Sequence, residues 1–301
     1  QRRFGIVVMT SFSEDVLFSN SQTQGRNQLG DGFSVSVQGA RHVRNDTPCQ
    51  DSSLYLATEE YVFCGVADGH GDKKHAMSHI GSKLALDVAH PILFDALRSL
   101  TQPISQRDWP TIQSNIEKRI RWEWNCECKR YMGEQSPTGE WTQELLNFGT
   151  TLLATCHSAN GTLFFQLGDG DIAIMNDAEE VQFIFDEDDD VTGTITHSLC
   201  RPFEENVSKC TLLKLPTDVR MVLLSSDGIR DCLQGDRNRF STILPWLNSK
   251  RDDDTDTLNK WLYSISNNGN GDDSRSSTSS RVVPGLQNNS VAPSPSLASS
   301  A

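Results

Sequence analysis

Several things are missing from this chain, and each absence removes a class of function. No apolar run approaches the length needed to span a membrane. The stretch Arg2-Arg3-FGIVVM is too short and too soon interrupted for a signal peptide, and the first residue is Gln. Positive charge is scarce: 27 Lys and Arg face 40 Asp and Glu, a net charge of -13. Phosphate backbones want a basic surface, so nucleic acid is not the expected partner. The eight cysteines include no Cys-x-x-Cys pair, and Cys126 and Cys128 stand two apart. In a chain this long, such scattered thiols read as reduced and partly buried, which points to the cytoplasm. There is no Walker-type phosphate loop, no Gly-x-Ser-x-Gly elbow, no H-E-x-x-H helix and no EF-hand loop. Nucleotide-driven machines, serine hydrolases, zinc peptidases and calcium sensors therefore have little support.

What the chain does have is a thrice-repeated device. Apolar runs end in Asp-Gly at Asp68-Gly69, Asp169-Gly170 and Asp227-Gly228. A carboxylate at the end of a buried strand projects from a rigid frame into the space beyond the sheet. Asp-Gly is also a common hairpin signal, and Asp31-Gly32 reads as a plain turn. Asp68-Gly69 and Asp227-Gly228 are followed by helix-like sequence, so a hairpin is not expected there. After Asp169-Gly170 comes DIAIM, and a plain hairpin is the expectation.

Residues 1–31 are polar and aperiodic and are left largely unassigned, as an N-terminal extension. From Gly32, FSVSVQG alternates as a half-buried strand does, and SSLYLAT and YVFCGVA form a hairpin around Glu59-Glu60. Helical spacing of Met77, Ile80, Leu84 and Val88 predicts a helix over 73–100, kinked or ended at Pro91. A second helix over 109–133 has Pro110 in its first turn and Ile112, Ile116, Ile120 and Trp124 on one face. Strands return at TLLATCHS, TLFFQL, DIAIM, VQFIF, KCTLLKLP and RMVLLSS, with Asn160-Gly161 as a hairpin turn. The acidic run Glu187 to Asp190 reads as a solvated loop. Short helices are expected at 238–248 and 256–266, and Val282-Val283 as a last edge strand. Beyond Asp273 the chain is Ser-, Asn- and Pro-rich, and 284–301 is an expected disordered tail. The pattern gives one α+β domain over 32–283, two antiparallel sheets packed face to face and covered by helices.

If Asp68, Asp227 and a third acid gather at one end of such a sandwich, they cannot all stay ionised uncompensated. Divalent cations resolve the repulsion, and carboxylate, carbonyl and water ligands favour Mg²⁺ or Mn²⁺ over zinc. Two such ions could bridge a hydroxide and offset phosphoryl charge. His70, with an ordinary pKa near neutrality, suits a proton donor to the leaving oxygen. Arg41 or Arg44 could hold phosphate oxygens in a planar fork. His75 and His79 share a helix face but lack a third ligand and read as solvent-facing.

The string VADGHGD at 66–72 resembles the Asp-Gly-His-Gly signature of metal-dependent protein phosphatases of the protein phosphatase 2C type. CQDSSLY around Asp51, FGTTLLAT, LGDGDIAI, LLSSDGIRD and GDDS at 271–274 follow in the family's order, over about 32–275. The segment SVQGARHVRNDTPCQDS is most similar to the bacterial branch. The resemblance implies an α-β-β-α sandwich and two Mg²⁺ or Mn²⁺ ions. It implies that Asp68 bridges both ions, that the Gly69 carbonyl binds one, and that Asp227 and Asp272 complete the more buried position. Asp51 would hold metal-bound water, His70 would be the general acid, and Asp169 would serve a third, weaker site. Arg41, with Arg44 or His42 as substitutes, would bind phosphate. Two departures stand out. Gln50 occupies a place where many relatives carry Glu or Asn, and the polar SRSSTSSRVV follows where the family has an apolar strand, so either Asp272 or Asp273 would be the ligand.

The implied activity is hydrolysis of phosphoserine and phosphothreonine in proteins by a bridging hydroxide, in cytoplasmic signalling, by a monomer. The alternative is a pseudophosphatase that binds phosphoproteins or a partner kinase without turnover.

Overall fold

The computed structural model describes residues 4–10, 24–27, 30–37, 49–100, 105, 107–186, 196–205, 207–232, 236–249, 260, 261 and 264. Eleven strands form two antiparallel sheets. The five-stranded sheet has the order β10-β7-β6-β5-β4, built from β4 (Ser52–Ala57), β5 (Tyr61–Ala67), β6 (Leu152–Ser158), β7 (Gly161–Leu167) and β10 (Ser208–Leu213). The six-stranded sheet has the order β2-β3-β1-β11-β8-β9. Its strands are β1 (Phe4–Thr10), β2 (Gln24–Asn27), β3 (Gly30–Val37), β8 (Asp171–Asn176), β9 (Val181–Phe183) and β11 (Val219–Ser225).

The expected layering is the one observed, and β5 shows why it was readable. All seven of its residues are buried, because both faces of the strand are covered. Tyr61, Phe63 and Ala67 pack under helices α1 (Ser78–Ser99) and α2 (Trp109–Tyr131), with Leu93, Ile120 and Trp124. Val62, Cys64 and Val66 face the other sheet and meet Ile172, Val222 and Leu224. On the far side of the six-stranded sheet, Ala173, Met175, Met221 and Leu223 pack against Phe240, Ile243, Leu244 and Leu247 of α4 (Phe240–Ser249). Helix, sheet, sheet and helix thus enclose three apolar layers. Seven described cysteines carry free thiols, six of them buried, and burial raises Cys64 and Cys128 above the ordinary thiol value.

Four details depart from the sequence reading. Residues 1–31 are not bare of structure: β1 lies between β3 and β11, and its register runs from Ile6 opposite Ser225 to Thr10 opposite Met221. A short apolar run carries no period by which to tell a strand from anything else. Helix α1 continues past Pro91 to Ser99. Pro91 and Asp87, whose carbonyl loses its bond, are both on the exposed face, so water can satisfy it. Asp169-Gly170 is no hairpin. β7 pairs with β6 and β10, whereas β8 pairs with β11 and β9, so the turn carries the chain from one sheet to the other. Gly170 has φ 136, and a Cβ there would stand 2.7 Å from the Ser225 carbonyl oxygen; only glycine allows the crossing. Lastly, His75 is buried at 6% exposure instead of facing solvent. The expected loop at 187–190, most of the helix at 256–266 and the edge strand at 282–283 lie outside the described residues.

Candidate active site

Antiparallel register collects the acids at one end of the sandwich. Ser52 pairs with Ala67, so Asp51, just before β4, stands beside Asp68, just after β5. Leu152 pairs with Leu167, which brings the end of β7 and hence Asp169 to the same edge. Asp171 pairs with Ser225, so the chain leaving β11 delivers Asp227 there too, as the first residue of the short helix α3 (Asp227–Cys232). Sequence positions 51, 68, 169 and 227 become neighbours because alternate strands end where their partners begin.

Local bonds fix these positions. The Asp68 backbone N–H donates to Thr151 Oγ1 at 3.0 Å, and the Thr151 N–H donates to the Asp68 carbonyl at 2.9 Å. Gly69 forms a bridge with Thr150. Thr196 Oγ1 donates to Asp169 Oδ2 at 2.9 Å. Asp51 is 5% exposed, and Ser82 Oγ donates to the neighbouring Gln50 carbonyl at 2.6 Å. The Gln50 side chain is buried as well.

Asp171 and Asp227, both at this end, are treated in opposite ways. Asp171 is fully buried and lies 2.8 Å from Arg237 Nε and 3.9 Å from Arg230 Nε. Arg237 also donates to the Phe185 carbonyl at 3.1 Å and lies 3.9 Å over the Phe183 ring. That acid is neutralised from within the protein. Asp227 has acids about it instead. Burial first, then the charges of Asp68, Asp169 and Asp231, push its carboxyl up to about 9, and a hydrogen bond with the Asp68 side chain adds to the shift. A half-buried site with this much unbalanced negative charge suits a cation, and its donors are all oxygen, as Mg²⁺ and Mn²⁺ prefer. The acids converge without closing into a coordination shell: among the described residues, no three His, Cys, Asp or Glu side chains form a group that could hold a metal ion.

His70 is half-buried, and its ring meets that of His75 edge to face with centroids 4.9 Å apart. His75 Nδ1 is bonded to the Leu146 carbonyl, and burial lowers the pKa of this imidazole. Arg41, His42, Arg44, Asp272 and Asp273 lie outside the described residues. The sequence reading had not singled out Asp231, Thr151, Thr196 or the Asp171–Arg237 pair. Only Asp231 carried a local signal, standing four residues after Asp227 and so on the same helix face.

The sequence profile described as Protein phosphatase 2C matches residues 38–263. The chain belongs to the protein phosphatase 2C family. Strands β1, β2 and β3 precede the matched region, although β1 pairs directly with β11. No curated protein matches the chain. Among solved structures, serine/threonine phosphatase Stp1 from Staphylococcus aureus is 13% identical, with 81% of this chain and 95% of that one covered and a TM-score of 0.42. The catalytic domain of the serine/threonine phosphatase PstP, solved with two manganese ions, is 14% identical, with 73% and 98% covered and a TM-score of 0.36. PppA, a regulatory component of a secretion system in Pseudomonas aeruginosa, is 18% identical, with 65% and 76% covered and a TM-score of 0.38. At these scores the likenesses carry no argument of their own. Membership in the phosphatase 2C family rests on the profile match, and the two-sheet fold on the strand pairing above. No helix among the described residues is long and apolar enough to cross a membrane.

Proposed function

We propose that the chain is a Mg²⁺- or Mn²⁺-dependent protein serine/threonine phosphatase. The observation that carries this reading is the state of Asp227, half-buried and crowded by Asp68, Asp169 and Asp231 at the strand ends of a phosphatase 2C sandwich. Asp68, Asp227 and the Gly69 carbonyl would hold the ions, with Asp51 and Asp272 completing the set and Asp169 serving a third position. Bound ions would supply charge to offset a phosphoryl group and to make water a better nucleophile.

The remaining work falls to the protein's own groups. The Thr151 and Gly69–Thr150 bonds hold the Asp68 segment against the sheet, so its carboxylate is positioned without ordering on binding. Arg41 or Arg44 would grip the phosphate oxygens of a phosphoserine or phosphothreonine side chain. His70 would hand a proton to the departing serine or threonine oxygen, which leaves poorly as an alkoxide. The substrate is thus a phosphoprotein, and a partner kinase would supply it. Free buried thiols suit a reducing compartment such as the cytoplasm. The catalytic domain would cover residues 32–283, with β1 as a further strand of its sheet.

The test is hydrolysis of p-nitrophenyl phosphate. Activity with Mn²⁺ should vanish with EDTA and with Asp68→Asn. Turnover without metal, or none by folded protein in Mn²⁺, overturns the reading; the second result would leave a phosphoprotein-binding pseudophosphatase. His70→Ala should slow a phosphothreonine peptide more than nitrophenyl phosphate, whose leaving group hardly needs a proton.

A further inference from the structure

His70 does not stand in isolation. Its backbone N–H donates to the Gly149 carbonyl at 2.9 Å, and its ring meets His75 at 4.9 Å between centroids with an interplanar angle of 61°. Gly149 lies beneath both rings: a Cβ there would be 2.5 Å from His70 Cδ2 and 2.5 Å from His75 Nδ1. Three residues from two separate stretches of chain form one packed unit.

His75 is the fixed member of that unit. A carbonyl only accepts, so the bond to Leu146 requires a proton on Nδ1. Turning the ring over would break this bond. At 6% exposure, little water can replace it, so one orientation is strongly held. The turn that supplies the Leu146 carbonyl (Gln143–Phe148) is itself tied to the start of α1, since Met77 N–H donates to the Asn147 carbonyl at 2.8 Å. The edge-to-face contact passes that rigidity on to His70.

We propose that His75 is a positioning residue for His70, a pinned ring that holds the His70 imidazole in one orientation. The inference rests on the reading of His70 as proton donor and deepens it. A displaced donor transfers its proton poorly, and misplacement by about 1 Å can cost about 10²-fold. A core residue that only stabilised the fold would affect all substrates alike.

The experiment is His75→Ala in the full chain, with kinetics and ring spectroscopy in parallel. With Mn²⁺, kcat on a phosphothreonine peptide should fall about 10- to 100-fold. On nitrophenyl phosphate it should fall less than about threefold, with KM little changed for either substrate. His70→Ala/His75→Ala should be no slower than His70→Ala, because a positioning residue has nothing left to position. In long-range ¹H–¹⁵N spectra, wild-type His75 should be the Nδ1-protonated tautomer, and His75→Ala should move the His70 ring resonances through the lost ring current. Equal losses on both substrates, an additive double variant, or unmoved His70 resonances would overturn the proposal. Should the alanine variant not fold, His75→Phe keeps a ring but no donor, and the same split should appear at smaller size; its absence counts equally against the idea. If the wild type has no metal-dependent activity, the phosphatase reading falls and the spectra alone decide the role of His75.

Discussion

Replacing Asp227 by Asn should stabilise the metal-free protein while removing its response to metal. Asp227 has an ordinary carboxyl value of 3.8, and its surroundings raise this to about 9. The sign follows from proton linkage. Below pH 4 the group is protonated both folded and unfolded, and it contributes no difference. Between pH 4 and 9 the unfolded chain sheds the proton and the folded one retains it, so stability falls as pH rises. Above pH 9 the penalty is constant. At pH 7 the gap is about 3 pH units, worth at most about 4 kcal/mol at about 1.4 kcal/mol per unit. Water entry and side-chain relaxation reduce that, leaving about 1–2 kcal/mol as the expected gain for Asn. For a domain of this size such a gain raises Tm by about 2–8 °C.

The assay is thermal unfolding of wild type and Asp227→Asn at pH 5, 7 and 8.5, in EDTA and in excess Mn²⁺. In EDTA the variant should be more stable, and its advantage should widen with pH. In Mn²⁺ the wild type should recover, by about 2.7 kcal/mol at a concentration 100 times the dissociation constant, and the variant should barely move. A variant less stable than wild type in EDTA at pH 7, or an advantage that does not grow with pH, would refute the crowding of acids about Asp227.

The fully buried Asp171 should behave oppositely. Asp171→Asn leaves Arg230 and Arg237 without their shared partner and should cost about 2–4 kcal/mol in chemical denaturation, in EDTA as in Mn²⁺. Gly81→Ala would set a Cβ 1.9 Å from the Phe148 carbonyl oxygen and should destabilise by at least about 2 kcal/mol, through displacement of the turn at 143–148 from α1. Phe164→Ala, at the centre of the layer between the sheets, should cost about 3–5 kcal/mol by the same measurement without changing the metal response per folded molecule.

Much of this was legible because the burial is two-sided. YVFCGVA and RMVLLSS are continuous apolar runs since β5 and β11 are covered on both faces, and such runs announce where a strand stops. The Asp that follows each one is then conspicuous. Other features depended on pairings far apart in sequence. GDGD at 168–171 has the local chemistry of a hairpin, and nothing in it says that β8 will join β11 instead of β7. His75 and His79 at helical spacing look like a polar face; His75 is buried where Leu146 and Gly149, some seventy positions on, meet its ring. Residues 4–10 are illegible as a strand for a related reason: the partners that make a strand of them, β3 and β11, lie in different regions of the sequence.

The same long-range pairing explains why Asp171 and Asp227 diverge. Asp171 and Asp227 stand at adjacent strand ends, β8 and β11, and both lose hydration. Arg237, in the short turn Arg237–Arg239, comes back over β8 and meets Asp171, with Phe183 beneath its guanidinium. Stacking on that ring while paired orients the arginine's fork toward the acid. The charges acting on Asp227 come instead from the ends of β5 and β7 and from the next turn of α3, and all three are carboxylates. A sandwich stabilised for itself alone would gain by supplying a cation to Asp227 as it does to Asp171. That it supplies Asp68, Asp169 and Asp231 instead costs folding stability in the metal-free state and concentrates negative potential at one end of the sheets. An unmatched cost of this kind supports the proposed metal site.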